Sequence, residues 1–390
     1  MSDELSIPQR WDIFCTVVDN YGDIGVCWRL ARQLAAEYRL DVQLFVDDLR
    51  SFSRICPAVD PALERQLIAG VTVLRWHADM APAEVGQVVV EAFACELPEA
   101  HVAAMAEQPV APVWINLEYL SAEDWVTGCH GLPSRHPRLP LTKHFFFPGF
   151  VQGTGGVLAE RDLATRRLAL QSDPQARAAY WRGLGIDVPA EALSVSLFAY
   201  ENAAIPGLLG AWAHGARPVV CAVPEGRALG DVLGFFGVAE AGAGTVLRQG
   251  ALSVHVLPFV AQPDYDRLLF ACDLNFVRGE DSFVRAQWAA RPFVWHIYPQ
   301  EDEAHWDKLE AFLSLYLARL EPQAADALAR FWRAWNRGAG ADAAWPALAA
   351  ALPQWHAHAQ RWTSGLTDLG DLASNLVQFC ANRYSTDPLN

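Results

Sequence analysis

Four acidic side chains in this sequence sit where polar turns interrupt apolar runs. Asp19 and Asp23 fall four apart in the stretch VVDNYGDIG, between the apolar run Trp11 to Val18 and a helical run Val26 to Tyr38. Glu280 and Asp281 fall in RGEDS, between the run Asn275, Phe276, Val277 and a helical run with Phe283, Val284 and Trp288 on one face. An apolar strand rarely needs two acids at its exit unless something binds there. Gly279 permits the second turn, Ser282 stands where the helix begins, and the unpaired N–H groups of that helix start suit a phosphate. Two acids repel a phosphate, so Glu280 is expected to face a sugar or a cation while Ser282 and the backbone hold the anion. The competing reading has Asp281 or Ser282 cap the helix with Glu280 in solvent, and makes Asp23 a cap if the first helix starts early.

These turns need strands and helices to hold them. Alternating strand and helix signals run through the first half: strands at Trp11 to Val18, Val42 to Val46, Val71 to Trp76, Gln87 to Glu91, Val113 to Leu117 and Lys143 to Phe147, with helices at Val26 to Tyr38, Leu49 to Cys56 and Pro98 to Glu107. A second alternation starts at Ser194 to Ala199 and continues through Pro218 to Val223 and Val254 to Phe259 to the RGEDS segment and Phe293 to His296. Such alternation predicts parallel sheets covered on both faces. Ligands then bind at the carboxyl ends of strands, where both acidic turns fall. Tyr200, Phe259, Gln262 and Tyr265 lie at neighbouring strand ends, and aromatics with an amide there make a pocket that stacks on a nucleobase; Phe259 as plain core is the alternative. Gly22 and Gly25 do not form G-x-G-x-x-G, and Gly153, Gly155 and Gly156 lack a P-loop lysine, so the latter read as a flexible turn. Helices alone follow His296, and His356 with His358, two apart, read as a surface pair rather than metal ligands.

The chain has 390 residues, enough for two domains, with 52% hydrophobic and 19% charged residues, which excludes a disordered protein. A formal charge of −15 argues against nucleic-acid binding and favours a basic partner. No run is apolar enough to span a membrane, and MSDELSIPQR lacks the core of a secretory signal, so a cytoplasmic location is expected. The 8 cysteines are scattered without a C-x-x-C pair, which fits reduced, buried thiols. The 15 tryptophans are spread along the chain and read as core or cleft walls.

The runs VVDNYGDIGVCWRLARQL (17–34), PFVAQPDYDRLL (258–269), RGEDSFVRAQ (278–287) and FVWHIYPQ (293–300) resemble the EarP family, arginine rhamnosyltransferases of translation elongation factor P (EF-P). The resemblance runs from about Trp11 to the helix ending near Leu317. It implies an α/β fold of GT-B type: two facing Rossmann-like domains, 1–185 binding the acceptor and 186–350 the nucleotide sugar, with a helical tail, 351–390, packing back on the first. It further implies inverting transfer of L-rhamnose from dTDP-β-L-rhamnose to an arginine side chain of EF-P, with no cofactor, metal or membrane. By motif, Asp19 and Asp23 become the acceptor-activating carboxylates, with Asp23 the base, and Glu280 joins the catalytic centre. Asp281 and Ser282 fall beside the diphosphate. Tyr200, Phe259, Gln262 and Tyr265, with Phe198 close by, fall at the thymidine end, and Arg278 and Tyr298 around the donor.

A guanidinium is charged and a poor nucleophile, with a pKa above about 12. Carboxylates can align it, localise its charge away from the attacking nitrogen, and take the proton as the C–N bond forms. A helix N-terminus can receive the charge growing on dTDP. Two rivals stay open: a GT-B transferase with another nucleotide sugar and a small or lipid acceptor, and a binding protein that holds a nucleotide or translation factor without turnover. The missing dinucleotide fingerprint leaves a Rossmann oxidoreductase a weak third.

Overall fold

The computed structural model describes residues 7–18, 21–77, 80, 84–299 and 303–386. The chain divides into two compact units: Met1–Arg161 with Leu366–Asn390, and Asp162–Gly365. Asp19 lies outside the described residues.

The first unit runs β1 (Arg10–Cys15), α1 (Gly22–Tyr38), β2 (Asp41–Val46), α2 (Leu49–Ile55), β3 (Arg65–Ile68), β4 (Val71–Arg75), β5 (Val88–Ala92), α3 (Glu99–Ala106), β6 (Val113–Leu117), α4 (Val126–Cys129), β7 (Pro133–Arg135) and β8 (Thr142–Phe146). Its sheet has the order β3-β4-β2-β1-β5-β6-β8-β7, parallel except for β3 and β7, which pair antiparallel at the two edges. A parallel strand covered on both faces is buried along its length and mostly apolar, as all of β5, VVVEA, is; its one acid, Glu91, accepts from Trp114 Nε1 and Lys143 Nζ at 3.1 Å. Phe14 of β1 stacks on Phe45 of β2 with centroids 4.3 Å apart, beside buried Trp76 and Trp114. The chain starts mid-sheet at β1, moves outward through β2 and β4, then crosses to β5 on the other side of β1. The topological switch point of this unit therefore lies between β1 and β5.

The second unit runs α5 (Leu163–Gln171), α6 (Pro174–Gly183), β9 (Leu193–Leu197), α7 (Ala204–Ala213), β10 (Val219–Pro224), α8 (Leu229–Phe236), β11 (Val246–Gln249), β12 (Leu252–Leu257), α9 (Gln262–Ala271), β13 (Leu274–Arg278), α10 (Asp281–Trp288), β14 (Phe293–His296), α11 (Ala304–Leu317), α12 (Pro322–Asn336) and α13 (Ala341–Thr367). Sheet order is β11-β12-β10-β9-β13-β14, with only β11 antiparallel, and the switch point lies between β9 and β13. An aromatic cluster fixes α10 and β14 to the helices behind them. Phe283 stacks on Trp295 at 3.9 Å and meets Phe312 edge-on at 4.8 Å.

The final helix, α14 (Leu372–Thr386), groups with the first unit. Gln33 Nε2 of α1 donates to Asp371 Oδ1 at 3.0 Å, and Asn375 Nδ2 donates to Gly155 O at 3.1 Å. The glycine-rich stretch 148–156 makes an exposed turn at 151–153, as read from the sequence, and its far end, Gly155 and Gly156, is packed against the start of α14. Gly156 sits at φ +75, and a Cβ there would overlap the Gly370 carbonyl.

Several sequence readings are revised. Helices α5 and α6, placed with the first half, belong with the second: Arg177 of α6 donates to Asp273 Oδ1 and to Ser194 Oγ, both at 2.8 Å. The expected start of a tail at residue 351 falls inside α13, which runs through Pro346 and Pro353. An interior proline costs about 3 kcal/mol. The buried Trp355 and His358 beyond it hold the helix on against that cost. His358 is thus no surface residue; it is 2% exposed, with its ring edge-on to Tyr316 at 4.7 Å. Strands β3, β7 and β11 and helix α8 were not foreseen. The three strands are short edge strands, exposed or half-buried and without a continuous apolar run.

Candidate active site

In the first unit β1 ends at Cys15, three residues earlier than its apolar pattern predicts, and α1 begins at Gly22, four residues before Val26. Asp23 thereby falls in the first turn of α1. It does not cap that helix, whose first residue is preceded by Tyr21 with no side-chain cap. The Asp23 carboxylate accepts the Val18 backbone N–H on Oδ2 at 2.9 Å and the Tyr119 hydroxyl on Oδ1 at 3.1 Å. It is 1% exposed. Val17 N–H meanwhile donates to Asp47 Oδ1 at 2.9 Å, so carboxylates from α1 and from the end of β2 jointly hold the strand exit. Asp23 stands at the switch point of its sheet, the position where an open α/β sheet binds ligands.

The corresponding place in the second unit gathers most of the other expected residues. Phe198 and Tyr200 follow β9, and Arg278 ends β13, the strand beside it. The Arg278 guanidinium carbon lies 4.6 Å from the Phe198 ring centre and 4.7 Å from that of Tyr200. Tyr200 meets His296 and Tyr298 edge-on at 5.2 Å and 5.5 Å, and Phe198 leans on Tyr265 at 5.3 Å. The result is an aromatic box around a cation. Tyr298, 40% exposed, forms its outer edge. Arg278 Nη1, the Tyr265 hydroxyl and His296 Nδ1 are buried without a hydrogen-bond partner among the described residues. Buried polar groups are normally satisfied, so three in one box indicate the place of a polar ligand. Burial pushes the Tyr265 phenol up, and burial, then the neighbouring Arg278, pushes His296 down to about 4. His296 is therefore neutral near pH 7.

Glu280, half-buried, occupies the N-cap position of α10, and its side chain does not cap the helix. Ser282 likewise does not cap from outside. Its hydroxyl accepts the Arg278 N–H at 2.9 Å and donates to the Arg278 carbonyl, which ties the turn shut from within. Asp281 Oδ2 accepts Gln262 Nε2 at 3.1 Å, joining the starts of α9 and α10. Behind them Arg285 donates to Asp266 through Nε at 3.0 Å and Nη2 at 2.7 Å, with both residues almost fully buried. This bidentate pair sets the spacing of the two helices that carry Gln262, Tyr265 and the Glu280 to Ser282 turn. Phe259, half-buried, lies in the connection from β12 to α9. Among the described residues no group of three or more His, Cys, Asp or Glu is arranged to hold a metal, and no helix is long and apolar enough to cross a membrane.

The family model described as Elongation-Factor P (EF-P) rhamnosyltransferase EarP matches residues 11–381. The chain belongs to the EarP family. It is 53% identical over 372 residues to a protein-arginine rhamnosyltransferase of Pseudomonas aeruginosa, covering 95% of this chain and 99% of that one. A Neisseria meningitidis protein of the same description is 34% identical over 391 residues, covering 94% and 96%. A solved structure concerned with EarP-mediated arginine glycosylation of translation elongation factor EF-P matches with a TM-score of 0.68 and 38% identity, covering 96% of this chain and 99% of that one. The two parallel-rich units are those of a GT-B glycosyltransferase, as the EarP resemblance implied. Three residues beside the expected site residues were not singled out from sequence. Tyr119 follows β6, Phe93 follows β5 and His296 ends β14. Each stands at the carboxyl end of a strand, and that position was the available signal.

Proposed function

We propose that this EarP member transfers L-rhamnose from dTDP-β-L-rhamnose to an arginine side chain of EF-P with inversion at the anomeric carbon, without a metal, in the cytoplasm. The observation that carries the proposal is the aromatic box around Arg278 at the second unit's switch point, with buried polar atoms awaiting partners. A thymine stacks on such rings, and an arginine flanked by a helix N-terminus suits a diphosphate. Phe259, Gln262 and Tyr265 take the base end in this reading, and Asp281 and Ser282 shape the turn beside the phosphates. All 8 cysteines are free thiols, in keeping with a reducing compartment.

In the reaction one guanidinium nitrogen attacks the anomeric carbon while the bond from that carbon to the diphosphate oxygen breaks. The electron pair leaves on dTDP, toward Arg278 and the first N–H groups of α10. The proton leaving the guanidinium passes to Asp23, assisted by Asp19, and Glu280 steadies positive charge at the sugar. Intact mass of EF-P after incubation with the enzyme and dTDP-rhamnose tests the proposal, with one added deoxyhexose on an arginine as the expected product. An unchanged mass, or equal transfer from an unrelated nucleotide sugar, would refute it. The anomeric configuration of the product checks inversion, and undiminished transfer in excess EDTA checks metal independence.

A further inference from the structure

At the first unit's switch point the backbone leaves β5 through three residues in the left-handed region, Phe93 at φ 56, Ala94 at φ 54 and Glu96 at φ 39, none of them glycine. Side chains pay for that conformation, by roughly 1 to 3 kcal/mol where it is sparsely populated, and such residues gather where a site needs a particular geometry. The geometry achieved here is specific. Phe93 is pinned by its own N–H, which donates to the Leu117 carbonyl at 2.7 Å, and its ring stacks on Tyr119 with centroids 4.5 Å apart and planes 18° apart. The Tyr119 hydroxyl, at the far end of that ring, donates to Asp23 Oδ1. Strands β5 and β6 thus deliver one phenol to one carboxylate oxygen, while Val18 N–H holds the other.

We infer that Tyr119, clamped by the strained Phe93, is a positioning residue that orients the Asp23 carboxylate for proton acceptance. This rests on Asp23 being the base of the proposed reaction. A carboxylate with a fixed donor on each oxygen is held in one orientation, and the arriving guanidinium finds it pre-oriented. Tyr119 also stabilises the charged form of the base, because a hydrogen bond to a carboxylate favours ionisation. Ionisable groups nearby among the described residues include Asp47, which accepts the Val17 N–H, Cys15 on β1, hydrogen-bonded to Cys27 of α1 and within electrostatic reach of Asp23 and Asp47, and Glu118 beside Tyr119, which accepts from Asn116.

The test is steady-state transfer to EF-P by the full-length enzyme, with donor affinity measured separately. Tyr119→Phe keeps the ring and its stack and removes only the hydroxyl. It is expected to lower kcat about tenfold, the scale of one hydrogen bond to a charged group. The acid limb of the kcat profile moves to higher pH, since the base loses a donor that favoured its charged form, and dTDP-rhamnose affinity stays unchanged. Phe93→Leu, which keeps the hydroxyl but loses the clamp, is expected to lower kcat less, again with donor affinity intact. If Tyr119→Phe keeps the wild-type kcat and pH limb while Asp23→Asn is inactive, the positioning role falls and the base assignment survives. If Asp23→Asn itself transfers at the wild-type rate, the base assignment falls. Loss of donor affinity in Tyr119→Phe marks a general structural role and overturns the inference as well.

Discussion

The two switch points are built alike and finished differently. Each lies where the first strand of a parallel sheet meets the strand reached after crossing over, β1 beside β5 and β9 beside β13. At the second, polar atoms are buried and left open: Arg278 Nη1, the Tyr265 hydroxyl and His296 Nδ1 have no partner among the described residues. At the first, both oxygens of Asp23 already hold a donor. A site that binds a ligand leaves unsatisfied groups for it to complete, whereas a group that must take a proton in one direction is fixed beforehand. On the proposed function, the same topology would serve affinity in one unit and orientation in the other.

The sharpest break in this comparison comes from Asp23→Asn. The amide is the same size, and the Tyr119 hydroxyl can reverse to accept from its NH2, so the fold is retained. Transfer to EF-P is expected to fall by about 10²- to 10⁴-fold, the range of a general base, with dTDP-rhamnose affinity unchanged by calorimetry. A matching loss of donor affinity would show that the two switch points do not divide the work. The second effect is Arg278→Met, which keeps a long side chain between the Phe198 and Tyr200 rings but removes the charge. Donor affinity is expected to drop about 10- to 100-fold, from the loss of charge-assisted contacts worth roughly 1.5–3 kcal/mol, with kcat at saturating donor less affected. A purely kcat effect would move Arg278 from binding to chemistry.

A third prediction contrasts the buried titratable groups of the first unit with His296 of the second. Asp12 and His101 lie together, Oδ2 and Nε2 3.7 Å apart. Burial raises Asp12 to about 7, against the Gly86 N–H that opposes it, and burial lowers His101 to about 4. Between pH 4 and 6.5 folded Asp12 holds a proton that the unfolded chain has released, so its contribution is present at low pH and lost as pH rises through about 7. His101 has the opposite sign. The unfolded imidazole binds the proton first, so stability is lost as pH falls from 6.5 toward 4. The two slopes oppose one another, whereas His296, also near 4, is lowered by burial, then by Arg278 and His305. Asp12→Asn is expected to expose the His101 slope, steepening the loss of stability from pH 6.5 to 4.5 by on the order of 1 kcal/mol per pH unit. Denaturant melts at both pH values check it, and an unchanged slope would mean the pair does not titrate as described.

The sequence was most legible where a parallel sheet dictates residue type. The central strands are buried along their length and mostly apolar, so β1, β2, β5, β6, β9, β10 and β13 were found within a few residues, while the buried polar side chains they carry, Asp12, Glu91, Asn116 and Asn275 among them, were not read as such. The acidic turns were legible because carboxylates at strand ends need a reason. What stayed hidden depends on contacts across long separations. Nothing local in Glu118-Tyr119-Leu120 points to Asp23, 96 residues away. Serine at a helix start reads as a cap or an anion ligand, yet Ser282 turns its hydroxyl back onto the Arg278 backbone, a choice set by the tight turn at Gly279. Proline usually ends a helix, and Pro353 does not, because the packing of Trp355 and His358 overrides local preference.

The smallest effect concerns Gln262, whose role separates two versions of the donor site. Its side chain is 4% exposed and donates to Asp281 Oδ2 at 3.1 Å. If Gln262 contacts the base directly, Gln262→Ala weakens dTDP-rhamnose by a few-fold, in line with about 0.5–1.5 kcal/mol for a neutral hydrogen bond, whatever residue stands at 281. If instead it acts by holding Asp281, the loss disappears when Asp281 is already alanine, and a double-mutant cycle returns a coupling as large as the single effect. The direct role is expected, because Tyr265 one turn further along α9 has its hydroxyl unpartnered in the same box, so that face of the helix is turned toward the ligand. Additive losses in the Gln262→Ala, Asp281→Ala pair support this, and full coupling would reassign Gln262 to the framework that spaces α9 from α10.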